Sequence, residues 1–437
     1  MWLDADRSDP FEQGDIMTRR LLMTIFIAIL VRASNAPAQE GGVTYHCNNS
    51  ILTLLPELRN APAPGWLKPG MRLVWYQAAA TIPEGRFGNM VPDPKGRWHD
   101  PATGMNFRLD DAQGPSGHGY TQLDVIAVHD DVVAVDVITY GRNGMGDEVH
   151  IILTDAITTP PGYCGDWWVN PNVLDRHLDI NGPGVRSARV PYKLDGTNYN
   201  SFWLSTITSD GSTSTFTDIK SGLNLHGGIA AKSKSAYVKL NGVSTPIGGK
   251  TGLALSTFRG SRQLQIPWAG TALPASIANL HKLHFRGART CTVPGSPPLP
   301  INYIGEISII GRGMDFLQAK RDAAIDLGNG FRQSEPTVNM VSGCNQLTPL
   351  AIPPEHLARL QVGQILDRDP VTKIVTQVSF VGRNRTGRDV VELTLSQGEG
   401  MFHAVYVYDR TTGLLAGQAI VDPAAFTRLD YVVTGTE

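Results

Sequence analysis

The sequence predicts a mainly β protein made of two related β-rich lobes, each a curved antiparallel sheet or half-barrel, with few short helices. Three observations lead to this fold class. Apolar and polar residues alternate with a period of two along many short runs. The chain contains 46 Gly and 29 Pro, which is typical of a protein with many tight turns. A turn motif of the form D-x-x-[ST]-G also recurs along the chain.

The clearest strands form a predicted hairpin over residues 120–140. Apolar residues alternate in both halves, and the polar segment His129-Asp130-Asp131 separates them. Helical periodicity is scarce. Residues 314–325 are expected to form the main helix and 354–360 a short one, because Pro354 suits a first helical turn. Further strands are predicted at 149–153, 202–207, 374–381, 390–395 and 404–408.

The recurring motif predicts hairpin corners. It occurs at 100–104, 218–222 and 409–413, and 369–373 matches except that Lys373 replaces the glycine. The aspartate can accept backbone N–H bonds within the turn, and the glycine can adopt the positive φ that the turn needs. Each loop offers one carboxylate, so these segments would be poor calcium sites.

Two of the corners belong to a longer repeated order. Cys164 and Cys344 are each followed by an x-Pro-x-x-Leu segment, then by strands, then by the D-x-x-[ST]-G corner. The copies are offset by roughly 180 to 190 residues, which predicts two lobes over 39–265 and 266–437. Chance similarity between turn-rich segments is the alternative. If the repeat holds, Cys47 is expected to pair with Cys164, and Cys291 with Cys344.

The segment in which the corner at 409–413 is followed by two leucines and a strand resembles the closing hairpins of exported curved-sheet and half-barrel proteins, including periplasmic lipoprotein carriers. The resemblance covers the corner and the adjacent strand ends. It implies a shape and very little about activity.

Residues 17–38 are predicted to form a cleavable signal peptide. Arg19 and Arg20 precede the apolar run 21–31, and Ala36 and Ala38 stand at the −3 and −1 positions of a cleavage site. The apolar run is too short for a permanent membrane helix. Cleavage is expected after Ala38, because cleavage after Ala36 would leave a proline first. The arginine pair fits a twin-arginine route and the strongly apolar run favours general secretion, so both routes stay open.

The signal peptide determines how the rest of the sequence is interpreted. Residues 1–16 are acidic, unlike the start of a signal peptide, so they are expected to be a non-native or mis-annotated start before Met17. The mature protein is expected to be periplasmic or secreted, without a transmembrane span. In an oxidising compartment the four cysteines Cys47, Cys164, Cys291 and Cys344 predict two disulfides, with three possible pairings.

No sequence motif predicts a reaction. There is no G-x-S-x-G nucleophile elbow, and the Gly249-Lys250-Thr251 segment lacks the first glycine of a phosphate-binding loop because Ser244 stands there. Catalytic residues therefore stay unknown, and no cofactor is predicted. Four histidines near acidic residues could bind a metal if their hairpins converge, although solvated turn residues explain them more simply: His99, His118, His129 and His150.

The leading functional hypothesis is an exported, non-catalytic binding or envelope-associated protein. Its expected ligand is either apolar, such as a lipid, or a carbohydrate, such as a glycan. The ligand is expected to lie in a lobe concavity or between the lobes. The net charge of −2 without charge blocks argues against a nucleic-acid partner. Two alternatives stay open: an extracytoplasmic hydrolase, possibly metal dependent, and a structural or adhesive module. Six tryptophans could line a ligand site or fill the core: Trp75, Trp98, Trp167, Trp168, Trp203 and Trp268.

Overall fold

Antiparallel strands account for most of the structure. The computed structural model describes residues 62–437, apart from 84–90, 93–96, 100–105, 109–117, 130–131, 142–145, 154–166, 175–178, 209–210, 234–236, 241–242, 247–249, 292–298, 314, 329–330, 336, 397–402 and 423–426. For several strand segments, such as 77–83, it describes the backbone alone. The described residues belong to one compact unit, Tyr45–Glu437.

The first half of the described chain contains fifteen strands and a short helix α1 (Pro171–Leu174). The strands are β1 (Met71–Pro83), β2 (Val91–Pro92), β3 (Arg97–His99), β4 (Asn106–Arg108), β5 (His118–His129), β6 (Val132–Gly141), β7 (Gly146–Leu153), β8 (Asn181–Gly182), β9 (Val185–Leu194), β10 (Thr197–Thr208), β11 (Gly211–Asp218), β12 (Asn224–Ser233), β13 (Tyr237–Leu240), β14 (Val243–Pro246) and β15 (Lys250–Gln263).

The second half of the described chain contains eleven strands and two short helices, α2 (Ala275–Ala278) and α3 (Pro354–Leu357). The strands are β16 (Lys282–Cys291), β17 (Leu299–Arg312), β18 (Phe316–Gly328), β19 (Phe331–Ser334), β20 (Val338–Gly343), β21 (Ile365–Arg368), β22 (Val375–Arg383), β23 (Asp389–Ser396), β24 (His403–Asp409), β25 (Leu415–Asp422) and β26 (Thr427–Thr436).

These strands form two large sheets with the same strand order. The first sheet runs β7-β6-β5-β1-β15-β12-β11-β10-β9-β8, and the second runs β19-β18-β17-β16-β26-β25-β24-β23-β22-β21, with β20 also paired to β18. Two small sheets, β2-β3-β4 and β13-β14, accompany the first. The mainly β class with two related antiparallel sheets is thus confirmed.

Irregularities in strand pairing recur at equivalent places and allow the two sheets to be aligned residue by residue. The β1–β15 ladder shifts at Val74/Trp75, and the β16–β26 ladder shifts at the corresponding His284/Phe285. The β11–β12 and β24–β25 ladders shift in the same way. A β-bulge rotates every later side chain, so shared bulges keep equivalent residues on equivalent faces.

The predicted corners have the expected turn chemistry wherever they are described. Asp409 Oδ1 accepts the N–H groups of Thr411 and Thr412 at 2.8 and 3.0 Å, and Gly413 follows with φ +76°. Asp218 accepts the N–H of Ser221 at 2.9 Å in the corresponding corner. In the third corner the residue with positive φ is Lys373, at +63°. The corner predicted at 100–104 lies outside the described residues.

Each corner glycine also makes room for the segment of the short helix. The Val169 N–H donates to the Gly222 carbonyl at 2.8 Å, and the Ile352 N–H donates to the Gly413 carbonyl at 2.9 Å. A Cβ on either glycine would collide with the carbonyl oxygen of Val169 or Ile352. The x-Pro-x-x-Leu segments and the D-x-x-[ST]-G corners therefore form one packed unit in each sheet.

Each sheet buries one face against segments of its own half of the chain. Trp167 and Trp168 pack on the first sheet, and Trp268 packs on the second. With Trp75, these side chains are buried in the two cores, which confirms the core interpretation for four of the six tryptophans. Trp203 is half-buried and donates to Ser214 Oγ at 2.7 Å, whereas the side chain of Trp98 lies outside the described residues.

The helix predicted over 314–325 is wrong, because this segment forms β18. Its Leu, Ala, Gln and Lys residues favour a helix by intrinsic propensity. In the sheet, however, Leu317, Ala319 and Ala323 project from alternate positions into the second core, and β18 pairs with β17 and β20. Tertiary pairing overrides propensity here. The predicted hairpin, the other predicted strands and the start of the short helix at Pro354 are confirmed.

Within the described residues, no helix combines the length and apolarity needed to cross a bilayer.

Candidate functional site

Three of the four histidines considered as metal ligands lie on the first sheet, and His99 lies on β3 of the small sheet β2-β3-β4. His118 and His129 begin and end the same twelve-residue strand, β5, which separates their backbones by about 36 Å at 3.3 Å per residue. His129 Nε2 lies 2.7 Å from Asp315 Oδ1 of the second half. The side chains of His99, His118 and His150 lie outside the described residues. No group of three metal-ligating side chains occurs in the part that the structure describes.

Cys344 has a free, buried thiol that donates to the carbonyl oxygen of Ala272 at 3.5 Å. Burial raises the pKa of this thiol above its usual value. The structure therefore does not contain the predicted bond between Cys291 and Cys344. The side chains of Cys47, Cys164 and Cys291 lie outside the described residues, so the pairing of Cys47 with Cys164 stays a prediction.

A buried charge cluster joins the two sheets and was not anticipated from the sequence. Arg72 donates to both carboxylate oxygens of Asp124 at 2.7 Å and to Asp367 at 2.8 Å. Arg262 donates to Asp367 at 2.7 Å and to Asp369 at 3.1 Å. Because the two arginines belong to the first sheet and Asp367 and Asp369 to the second, the cluster ties one sheet to the other.

The carboxylates of this inter-sheet cluster differ in protonation behaviour. Burial raises the pKa of Asp124 despite the neighbouring Arg72. Burial acts in the same direction on Asp369, but the N–H of Thr372 and the charge of Arg72 together hold its pKa below the usual value. Asp369 is also the first residue of a hairpin corner, so the corner supplies a carboxylate that is held ionised against the arginines. This arrangement is suited to fastening the two sheets together.

A concavity that can hold a ligand lies on the second sheet, on the face opposite its core. It is a cleft of about 720 Å³ whose floor is formed by β16, β23, β24, β25 and β26. The lining residues are Arg286, Gly287, Ala288, Asn384, Thr386, Arg388, Glu392, Val407, Ala416, Gly417, Gln418, Ala419, Val432, Val433 and Thr434.

One row of directly opposed residues crosses the floor of the cleft. Arg286 pairs with Val432, Val432 with Gly417, Gly417 with Val407, and Val407 with Glu392. Directly opposed residues project to the same face of a sheet. The row therefore presents an apolar centre with a guanidinium at one end and a carboxyl group at the other, about 19 Å apart over four strand spacings.

Glu392 is the chemically distinctive end of this row. Its side chain is half-buried, and its carboxyl group forms no hydrogen bond or ion pair with another described residue. Burial raises the pKa of Glu392 above its usual value. An acidic group in this setting can accept a hydrogen bond from a ligand, or donate one when it is protonated.

A capped hairpin forms the rim of the cleft. Asn384 Oδ1 accepts the N–H groups of Thr386 and Arg388, both at 3.0 Å, and Gly387 adopts φ +81°. These bonds fix the turn between β22 and β23, because an asparagine side chain that bonds to its own loop mimics a backbone turn. The exposed Arg388 side chain is thereby held at the edge of the cleft.

In the described part of the first sheet, aromatic residues occupy the space equivalent to the cleft. The alignment of the sheets places His226 at the position of Gly417 and Phe216 at that of Val407. Tyr192 stands at the position of Asn384 and stacks on Phe216 at 4.6 Å between ring centroids. We call Tyr192, Phe216 and His226 the aromatic stack.

Sequence reasoning contained only one signal that could have located the cleft. The offset between the two copies of the repeat aligns His226 with Gly417. The first copy therefore has a large side chain where the second has only a glycine. The opposition of Arg286 and Glu392 depends on how five strands pair. Four of those strands are consecutive in the chain, but β16 joins them through a pairing between distant segments.

No protein-family model and no curated protein sequence matches the chain.

Proposed function

We propose that this protein is an exported, non-catalytic binding protein that holds an apolar ligand in the cleft of its second sheet. The observation that carries the proposal is the contrast between the two sheets. They share one strand order, yet the aromatic stack closes the first and Gly417 and Val407 leave the second open. Largely apolar concavities with a few polar groups are the usual form of small-molecule sites.

The composition of the cleft supports an aliphatic ligand rather than a glycan. Val, Ala and Gly form most of its floor, together with Gln418 and Thr434, and none of the lining residues is aromatic. A glycan site normally offers an aromatic ring on which a sugar can stack, whereas an aliphatic chain requires only a continuous apolar surface. The charged groups lie toward the ends and rim, where they would orient the ligand.

The core faces of the sheets support placing the ligand in this outer cleft. Trp66, Trp167 and Trp168 cover the first sheet, and Trp268 with Leu280 covers the second. Interiors packed in this way are close to crystal density and leave little space for a ligand.

Binding of dodecanoate, measured by isothermal titration calorimetry, tests the proposed function. We expect Val432→Glu to weaken binding at least tenfold, because it places a second acidic group in the apolar centre. Val432 is 57% exposed, so the substitution should leave folding intact. Ile310→Glu is the matched control, since Ile310 is 52% exposed in a strand outside the cleft. Equal affinity of both variants, or binding of an oligosaccharide instead of dodecanoate, would contradict the proposal.

The export step has a separate test. N-terminal sequencing of protein recovered from outside the cytoplasm is expected to begin at Gln39, because Ala36 and Ala38 fit the cleavage rule. The Ala38→Gln variant should be processed poorly, while Ala33→Gln, outside the −3 and −1 positions, should be processed normally. Accumulation of the wild-type chain in the cytoplasm would show that the protein is not exported.

A further inference from the structure

The cleft differs from a simple apolar groove because its two ends carry opposite kinds of polar group. Arg286, on β16, projects from the exposed end of the row, and Glu392, on β23, is half-buried at the other. Between them lie Val432, Gly417 and Val407. A ligand that fills the row must therefore present a different chemical group to each end.

The Arg286 end favours an anion. A guanidinium offers a planar set of N–H donors that matches the two oxygens of a carboxylate. Arg388 stands on the rim beside β23, at the other end of the cleft, so the positive charge of this end comes from Arg286. Because the Arg286 side chain is exposed, it can rotate to meet a head group without first breaking a buried contact.

The Glu392 end favours a hydrogen-bond donor. The carboxyl group has lost part of its hydration without gaining a positively charged neighbour among the described residues. A hydroxyl or ammonium group brought by a ligand would replace that hydration. A methyl group would leave the carboxyl group unsatisfied, and a second carboxylate would repel it.

We propose that the cleft binds an extended aliphatic chain with an acidic group at the Arg286 end and a hydrogen-bond donor, a hydroxyl or an ammonium group, at the Glu392 end. This inference rests on the proposed function, because it specifies the ligand of the same cleft. The apolar row supplies affinity for the chain, and the two ends set its direction.

Four twelve-carbon probes that differ only at the far end test the inference by titration calorimetry at pH 8. They are dodecanoate, 12-hydroxydodecanoate, 12-aminododecanoate and dodecanedioate. We expect the amino and hydroxy compounds to bind about tenfold more tightly than dodecanoate, and the dioate to bind more weakly than dodecanoate.

The Glu392→Gln variant separates charge from hydrogen bonding. Its amide oxygen still accepts a hydrogen bond but carries no charge. The preference for 12-aminododecanoate should therefore fall to about twofold or less, the penalty on dodecanedioate should disappear, and the preference for 12-hydroxydodecanoate should persist. Arg286→Gln should weaken all four probes by a similar factor, whereas the control Arg383→Gln, on an exposed arginine outside the cleft, should weaken none.

The outcomes distinguish the inference from the proposed function. Equal binding of all four probes to the wild-type protein, sensitive to Val432→Glu, would overturn the assignment of the two ends and leave the apolar cleft in place. Failure of all four to bind folded protein would overturn the proposed function itself. If Glu392→Gln still preferred 12-aminododecanoate as strongly as the wild type does, a protein group other than Glu392 would be recognising the ammonium group of the probe.

Discussion

His226 shows how one residue of the aromatic stack affects stability. Its ring is buried, with Nδ1 2.9 Å from Thr257 Oγ1. Burial, with a contribution from Arg259, lowers the pKa of His226 from 6.5 to about 4. The folded protein therefore keeps this ring neutral over a range in which the unfolded chain would protonate it.

The pH dependence of unfolding should reveal this histidine. Its contribution to stability is complete above the unfolded pKa and is lost as the pH falls toward 4, by about 3 kcal/mol in total. We expect chemical denaturation at pH 7, 5.5 and 4 to show a steeper acid loss for the wild type than for His226→Gln. Parallel curves for the two proteins would show that His226 does not titrate in this way.

Two turn glycines allow steric collision to be separated from backbone strain. Gly413 and Gly363 both have positive φ, but a Cβ would collide with the Ile352 carbonyl only at Gly413, and would meet nothing within 4 Å at Gly363. We expect Gly363→Ala to cost about 1 kcal/mol of unfolding free energy, from strain alone, and Gly413→Ala to cost at least about 2 kcal/mol more. Similar losses in urea denaturation would rule out the collision.

At the scale of elements, the corner at 369–373 also links the two sheets. It is the one described corner whose aspartate reaches arginines of the other sheet, through Asp369 to Arg72 and Arg262. The equivalent turn of the first sheet, between β8 and β9, is the short segment Pro183-Gly184. The longer turn of the second sheet thus acts as a clamp, because its aspartate forms ion pairs with the first sheet.

Removing the central arginine should destabilise this clamp. Arg72→Met leaves the carboxylates of Asp124 and Asp367 buried with fewer positive partners, and we expect a loss of about 3 to 5 kcal/mol in unfolding free energy. Arg410→Met, which breaks an ion pair with the half-exposed Asp389, should cost less than about 1 kcal/mol. Losses of equal size would show that the inter-sheet cluster is no stronger than a surface pair.

The elements that the sequence predicts well are those specified by neighbouring residues. The corners at Asp218 and Asp409 depend on a carboxylate and a glycine a few positions apart, so neighbouring residues are enough to predict them. The strand β18 cannot be predicted from neighbouring residues, because its composition favours a helix and it forms a strand by pairing with β17 and β20. The cleft is least predictable, since Arg286 and Glu392 are brought into one row only when five strands assemble.

At the scale of the whole molecule, equivalent positions of the two sheets have opposite surroundings. Ile126 is fully buried and packs with Phe316 and Val341 of the second half, whereas its equivalent Ile310 is 52% exposed. Around Ile310 the charged surface residues form ion pairs with one another, including a pair between Lys282 and Glu306 at 3.2 Å. Such a polar outer face is typical of the last unit of a repeat array.

The pair Ile126→Glu and Ile310→Glu tests this difference. The first substitution buries a charge between the sheets, and we expect it to lower unfolding free energy by more than about 3 kcal/mol and to expose the region between the sheets to limited proteolysis. The second should change stability by no more than about 0.5 kcal/mol. Proteolytic patterns that match in the two variants would mean that the contact around Ile126 does not hold the sheets together.

The aromatic stack of the first sheet has a consequence for how the protein would titrate. Because Tyr192, Phe216 and His226 occupy the space that Asn384, Val407 and Gly417 leave open, the described residues of the two sheets form one open cleft instead of two. A saturating ligand should therefore reach a stoichiometry of one per chain. Its isotherm should be a simple hyperbola with a Hill coefficient of about one, since the described residues form no second copy of the cleft to which the first could be coupled.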